Sequence, residues 1–233
     1  MRPRIAVLNA SHDPGPTRQN FRREVDANLA EFEATSGELP ETFVFDAVLV
    51  TGSSASVYWD ERWIDALRAY VAEAVDRGLP ALGVCFGHQL LADLLGGTVE
   101  AMGEYELGYR QVRRREGSTL LAGLDPTFTA FTTHSDTVTS LPPDATLIAD
   151  NDRGVQGFRR DSVFGVQFHP EYDMESAARV TRRKSSVEAA FRRRVLDGID
   201  SDSYATACET KVLFENFTNY VRRVSEPTPA RDG

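Results

Sequence analysis

The 233-residue sequence predicts an α/β fold: a three-layer, mostly parallel open sheet with an antiparallel extension and a helical C-terminus. Three observations predict it. Continuous apolar runs (Arg4 to Asn9, Phe45 to Val50, Pro80 to Val84) alternate with helix-periodic segments, as expected of parallel strands buried on both faces. From Thr98 to Phe168 the pattern changes to short alternating segments broken at Pro142-Pro143 and at Asn151-Asp152-Arg153-Gly154, which reads as antiparallel sheet. The last third is helical and highly charged.

The first run ends at Asn9, Ser11, His12 and Asp13 with no small-residue cleavage site, so it reads as a buried strand rather than a signal peptide. Gln19 to Ala34 carries helical spacing through Phe21, Val25, Leu29 and Phe32. After the second strand comes the loop Thr51-Gly52-Ser53-Ser54-Ala55-Ser56. Trp59 to Arg77 is a strongly amphipathic helix, with Trp63, Leu67, Tyr70 and Ala74 on one stripe, and Gly78 is its stop. The third strand leads almost at once into a helix over 87–95, closed by Gly96-Gly97. Val163 to Phe168 is a further buried-type strand. Helices are expected over roughly 174–195 and 202–223, broken at Gly198-Ile199-Asp200, with Cys208 in the apolar face of the last one. One domain is expected over 1–224, with 225–233 a disordered tail.

Composition narrows the function. No apolar run reaches the ~20 residues that span a bilayer, so the expected location is the cytoplasm. The two cysteines, Cys85 and Cys208, form no disulfide framework, and a reducing compartment suits a free thiol. No pair of Cys or His has metal-ligand spacing, so neither metal nor cofactor is expected. The net charge is −9, which argues against nucleic acid as a partner. Of the 26 basic residues only Lys184 and Lys211 are lysines. The arginine clusters Arg113-Arg114-Arg115, Arg182-Arg183-Lys184 and Arg192-Arg193-Arg194 read as solvated faces rather than an interface for an acidic partner.

Chemistry concentrates at two strand ends. In Gly83-Val84-Cys85-Phe86-Gly87-His88-Gln89, glycines two before and two after Cys85 permit a tight strand-to-helix turn that lifts the thiol out of the backbone. A helix N-terminus there favours thiolate over thiol and offers N–H groups to a developing oxyanion. A free cysteine is most often a small buried hydrophobe, but the glycines serve no ordinary helix or strand purpose, which favours catalysis. A thiolate nucleophile needs a base, and the base needs an orienting acceptor. Val163 to Phe168 ends in His169-Pro170-Glu171-Tyr172, placing His169 where open α/β sheets gather their sites, with Glu171 in reach of the imidazole. By itself His-Pro-Glu could be a turn histidine followed by a helix-capping charge; beside the cysteine elbow it reads as a triad.

Gly-Val-Cys-Phe-Gly-His-Gln and Gly-Val-Gln-Phe-His-Pro-Glu together resemble the two signature motifs of class I glutamine amidotransferases. The likeness covers about residues 43 to 172 and is nearest the amidotransferase domain of GMP synthetase and its stand-alone relatives. It implies a flavodoxin-like sheet, a Cys85–His169–Glu171 triad and a γ-glutamyl thioester. It also implies an oxyanion hole from the backbone of Gly52, Ser53 and Phe86, although Thr51-Gly52-Ser53-Ser54 departs from the family's usual Gly-Gly-Pro. Glu106-Leu107-Gly108-Tyr109 and Thr133-His134-Ser135-Asp136 are similar to segments of the GMP synthetase branch, which implies that His134, Ser135, Asp136 and Gln89 line the substrate pocket. On local evidence alone Gln89 and His134 read as structural polar residues. Nothing resembles an ATP-binding synthetase domain, so the nitrogen is expected to pass to a separate synthetase subunit. The alternatives are a stand-alone γ-glutamyl hydrolase or peptidase, and a non-catalytic binding or regulatory module.

Overall fold

The computed structural model describes residues 2–115 and 117–225. Nine strands form one sheet in the order β2-β1-β3-β4-β9-β8-β7-β5-β6. Its parallel half contains β1 (Arg4–Asn9), β2 (Asn28–Glu33), β3 (Ala47–Val50), β4 (Ala81–Val84) and β9 (Val163–Val166). The antiparallel half contains β5 (Thr98–Arg114), β6 (Thr127–Ser140), β7 (Thr146–Asn151) and β8 (Gly154–Arg160). The seam is β9, parallel to β4 on one side and antiparallel to β8 on the other.

The parallel strands are buried on both faces, so each sends alternate side chains into two separate cores. On one face Ile5, Val7, Leu49, Leu82 and Phe164 pack with Phe21 of α1 (Pro14–Glu24) and with Leu213, Phe214, Phe217 and Val221 of α7 (Val212–Ser225). On the other, Ala6, Leu8, Val48 and Val50 pack with α2 (Arg62–Asp76) and α3 (Phe86–Leu94). Those are the three layers. The buried stripe of α2 is Ile64, Leu67, Tyr70, Val71 and Ala74, and Gly78 follows the helix at φ 81°, a left-handed turn that glycine takes without strain.

Three expectations are corrected. The helix expected over Gln19 to Ala34 ends at Glu24, and Leu29 and Phe32 lie on β2. Their spacing fits a helix, but Asn28 to Glu33 instead pairs in parallel with all six residues of β1 and becomes the outermost strand of the sheet. The antiparallel half is not made only of short segments, because β5 and β6 run for 17 and 14 residues. The C-terminal region is cut into α4 (Met174–Arg183), α5 (Ala189–Asp197), α6 (Ser201–Ala207) and α7, with Cys208 opening a 3₁₀ turn ahead of α7. Cys208 is therefore half-buried beside, not within, the last helix's apolar face. α4, α5 and the segment between them pack through Ala177, Phe191 and Val195, and Val187 of the segment, onto Leu107 of β5 and Phe131 of β6. Ser225, expected as the first residue of the 225–233 tail, is instead the last residue of α7, and the rest of that tail lies outside the described residues.

Candidate active site

β4 and β9 run in register, Val84 opposite Val166, so the chain segments leaving them emerge side by side at one sheet edge. Cys85 is the first residue past β4 and the N-cap of α3, and its N–H donates to Val166 O at 2.8 Å. Its backbone sits at φ 53°, ψ −105°, one of three described non-glycine residues at positive φ. Such a conformation costs on the order of 1–3 kcal/mol and persists only where surrounding packing enforces it. The flanking glycines are that packing. A β-carbon on Gly83 would lie 2.3 Å from Gly87 C and O, and one on Gly87 would lie 2.3 Å from Val50 O. No side chain fits at either point while α3 stays seated on β3 and β4.

The orienting pair comes from the end of β9. His169 N–H donates to Phe131 O at 2.8 Å, tying the segment to β6, and Nδ1 lies 2.8 Å from Glu171 Oε1. Both side chains are almost wholly buried. Tyr172 stacks on the imidazole, centroids 4.2 Å apart and planes 19° from parallel. Arg23 of α1 donates to Glu171 O at 2.6 Å and to Asp173 Oδ2 at 2.8 Å, which fixes the turn from outside. Gly52 closes the group, since a β-carbon there would lie 2.9 Å from His169 Cε1 and 3.6 Å from Cys85 Cβ. Cys85, His169 and Gly52 thus converge, and His169 Nε2 makes no hydrogen bond of its own.

Burial alone would lower the His169 pKa, but the negative charges of Glu171 and Cys85 overcome it and raise it to about 10. His169 is therefore an imidazolium at neutral pH. A proton held more tightly in the folded state than in the unfolded one stabilises the fold fully below about 6.5, and that contribution is lost as pH rises through about 10. The urea midpoint should accordingly fall between pH 6.5 and 10, and Glu171→Gln should flatten the decline. Parallel pH curves for the two proteins would show that Glu171 does not hold the proton.

His88, though inside the cysteine motif, points into the core. It packs on Phe158 with centroids 5.2 Å apart, and burial lowers its pKa to about 3, so it stays neutral.

The remaining expected site residues fall on two adjoining cavities. A narrow one is lined by Ser53, Cys85, Gln89, His134, Ser135 and Asp136. A wider cleft of about 400 Å³ is lined by Gly52, Ser53, His169, Glu171 and Tyr172. Phe86 lines neither, but it is the first residue of α3, where helical N–H groups lack intrahelical partners.

The side chains of the narrow cavity's far wall are largely committed to one another. Gln89 Nε2 donates to Asp136 O and Gln167 Oε1, each at 3.0 Å. The Asp136 carboxylate accepts from Ser56 Oγ at 2.5 Å and Tyr58 Oη at 3.0 Å, holding the loop after β3. His134 Nδ1 lies 2.9 Å from Asp136 O, and Nε2 lies 2.8 Å from Glu106 Oε2. Glu106 is fully buried and also accepts from Asn151 at 2.6 Å and Gln156 at 3.1 Å. Burial alone would raise its pKa, but the His134 contact, the Asn151 bond and Arg110 keep it below the ordinary carboxylate value.

Sequence reasoning missed Tyr172 as a stacking partner, Glu106 as the partner of His134, and Lys184 as a lining residue of both cavities. It treated the Arg182-Arg183-Lys184 cluster as a solvated face. Arg183 does pair with Asp13, but Lys184 is half-buried and donates to Tyr105 Oη at 2.8 Å. Its rarity in an arginine-rich chain was the available signal. Arg113 and Arg115 do form a surface cluster around Asp150.

A cysteine at positive φ in a strand-to-helix turn thus stands beside a buried His–Glu pair at the end of the neighbouring strand, an arrangement chemically competent for acyl transfer. The family model for glutamine amidotransferase class-I matches residues 17–186. The chain belongs to that family of cysteine-nucleophile enzymes. It is 35% identical over 130 residues to one subunit of the glutamine-hydrolyzing GMP synthase of Sulfurisphaera tokodaii, 54% of this chain and 68% of that protein. It is 39% identical over 113 residues to the glutamine-hydrolyzing GMP synthase of Citrobacter koseri, 44% of this chain but only 21% of that protein. The match to the full-length synthase thus spans about a fifth of its length. The fold is shared with a glutamine amidotransferase from Thermotoga maritima, with TM-score 0.77, 21% identity, and coverage of 94% of this chain and 99% of that one. No helix among the described residues is long and apolar enough to cross a membrane.

Proposed function

We propose that the chain hydrolyses the side-chain amide of glutamine through a Cys85–His169–Glu171 triad. The observation that carries this reading is the convergence of the strained Cys85 with the buried His169–Glu171 pair at one sheet edge. The Cys85 thiolate attacks the amide carbon, and the N–H groups of Phe86 and of the Gly52-Ser53 loop hold the oxyanion. His169, oriented by Glu171, gives its proton to the departing ammonia, leaving a γ-glutamyl thioester. It then takes a proton from water, which attacks the thioester to release glutamate and restore the thiolate–imidazolium pair. Gln89, His134, Ser135 and Asp136 form the pocket wall, chiefly by holding its backbone in place.

The ammonia is proposed to pass to a separate ATP-dependent synthetase subunit in the cytoplasm. The likeness to the Sulfurisphaera tokodaii protein, named as one subunit of a synthase and matched over most of its length, supports this. A second reading, γ-glutamyl hydrolysis with a larger leaving group, is supported by the 400 Å³ cleft on the His169 side. The test of the thioester is interception. With glutamine and hydroxylamine together, the enzyme should form γ-glutamyl hydroxamate in place of part of the glutamate. Ammonia release with no hydroxamate would count against the covalent intermediate. Faster turnover of γ-glutamyl anilides or peptides than of glutamine would favour the second reading.

A further inference from the structure

The narrow cavity that holds Cys85 contains an ammonium with no carboxylate in contact, and its position suggests what it is for. Besides Cys85 and Tyr105, three ionisable side chains line that cavity: Asp136, His134 and Lys184. Asp136 is occupied by two hydroxyls and His134 by Glu106. Lys184 has no charged partner. Its ammonium donates to the neutral Tyr105 hydroxyl and sits 4.7 Å from that ring's centroid, and among the described residues no carboxylate lies within 4.0 Å of it. The chain's other lysine, Lys211, is paired with Glu24 at 2.7 Å. A half-buried ammonium left without a counter-charge in an acidic protein loses hydration without recovering it from an anion.

Lys184 also occupies a shared boundary. It follows α4 directly, in the segment Lys184 to Glu188 that joins α4 to α5, and it lines both the cavity holding Cys85 and the cleft holding His169. Arg192 of α5 donates to Lys184 O at 2.9 Å and to Val187 O at 3.3 Å, so the segment is held at its backbone while the lysine head reaches to β5. Cys85 and Lys184 line the same cavity, which places an ammonium beside any substrate whose reacting amide lies at Cys85.

We propose that Lys184, steadied by Tyr105, is a specificity-determining residue that receives the α-carboxylate of the γ-glutamyl substrate. This rests on the glutamine reading of the site. The carboxylate supplies the missing counter-charge, exchanging a neutral hydroxyl partner for a charge-assisted one. Amides with the same reacting end but no carboxylate leave the ammonium uncompensated and bind poorly.

The experiment compares L-glutamine with 4-aminobutanamide, its analogue lacking the carboxylate, in wild type, Lys184→Gln and Lys184→Arg. Lys184→Gln should raise KM for glutamine by roughly 10- to 100-fold with kcat little changed, the effect expected of one charged hydrogen bond. The preference for glutamine over the analogue should shrink by the same factor, and Lys184→Arg should restore part of it. Undiminished preference in Lys184→Gln overturns the inference. A second measurement needs no turnover: Cys85 alkylation by 6-diazo-5-oxo-L-norleucine and by its α-amide, followed by mass spectrometry. Wild type should label faster with the carboxylate form, and Lys184→Gln should label equally with both. If glutamine is not hydrolysed yet labelling still depends on the carboxylate and on Lys184, the inference stands and the glutamine reading falls. Labelling indifferent to both overturns the inference whatever the turnover shows.

Discussion

Cys85→Ala should lower ammonia release from glutamine by about 10⁴-fold or more, because removing the nucleophile of a triad leaves only the catalysis supplied by the oxyanion hole and binding. The fold should survive. The thiol is small and its β-carbon is retained, so the circular dichroism spectrum and urea cooperativity should match wild type. A third variant separates chemistry from strain. At φ 53° every residue with a β-carbon is strained, whereas glycine is not. Cys85→Gly should therefore be as inactive as Cys85→Ala yet more stable than it by about 1 kcal/mol, read from the urea midpoint. Ammonia release by Cys85→Ala at the wild-type rate would remove Cys85 from the reaction. A Cys85→Gly protein less stable than Cys85→Ala would show that the backbone conformation carries no strain.

Glu106→Ala should be the most destabilising single change at the pocket, by about 3–5 kcal/mol, because each buried donor stranded without its acceptor costs roughly 1–3 kcal/mol. The carboxylate is fully buried and meets His134, Asn151 and Gln156, which would all lose their acceptor at once. In a chain of this size that corresponds to a melting temperature lower by roughly 6–20 °C. Glu106→Gln keeps the volume but turns an amide NH₂ toward neighbouring donors, so its loss should be smaller but still measurable. If Glu106→Ala melts within a degree of wild type, the network is not what holds β5 to β6 and β8.

The sequence made the parallel half of the fold and the triad candidates legible for a physical reason. Strands buried on both faces are written as uninterrupted apolar runs, and a nucleophile at a tight turn needs glycines at fixed offsets. Gly83, Gly87, His169 and Glu171 are local signals of that kind. What stayed illegible was decided by distant partners. Asn28 to Glu33 has residues that fit a helix as well as a strand, and only pairing with β1 settles the matter. Glu106 and His134 are far apart in the chain, and nothing near either announces that they meet. Lys184 looked like one more charge in a basic run, and the two arginines before it, Arg182 and Arg183, are indeed exposed. The hydrogen bonds of Gln89 and Asp136 likewise show side chains spent on the wall, a division of labour between backbone and side chain that spacing cannot encode.

The sheet's seam at β9 has a consequence for how such an enzyme can change. Under the proposed assignment, the reacting groups stand at the ends of β3, β4 and β9, in the parallel half. The surfaces that would judge a substrate are supplied by β5, β6 and the helices over them. In the ladder the two halves meet along one strand, and at the site they are tied by His169 N–H to Phe131 O and by Asp136 to Ser56 and Tyr58, so changes that spare those contacts disturb the other half little. Lineages that keep the reaction and alter what it is applied to would concentrate their replacements in residues 98–160 and 184–200, while positions around 50–53, 83–89 and 165–171 stay fixed.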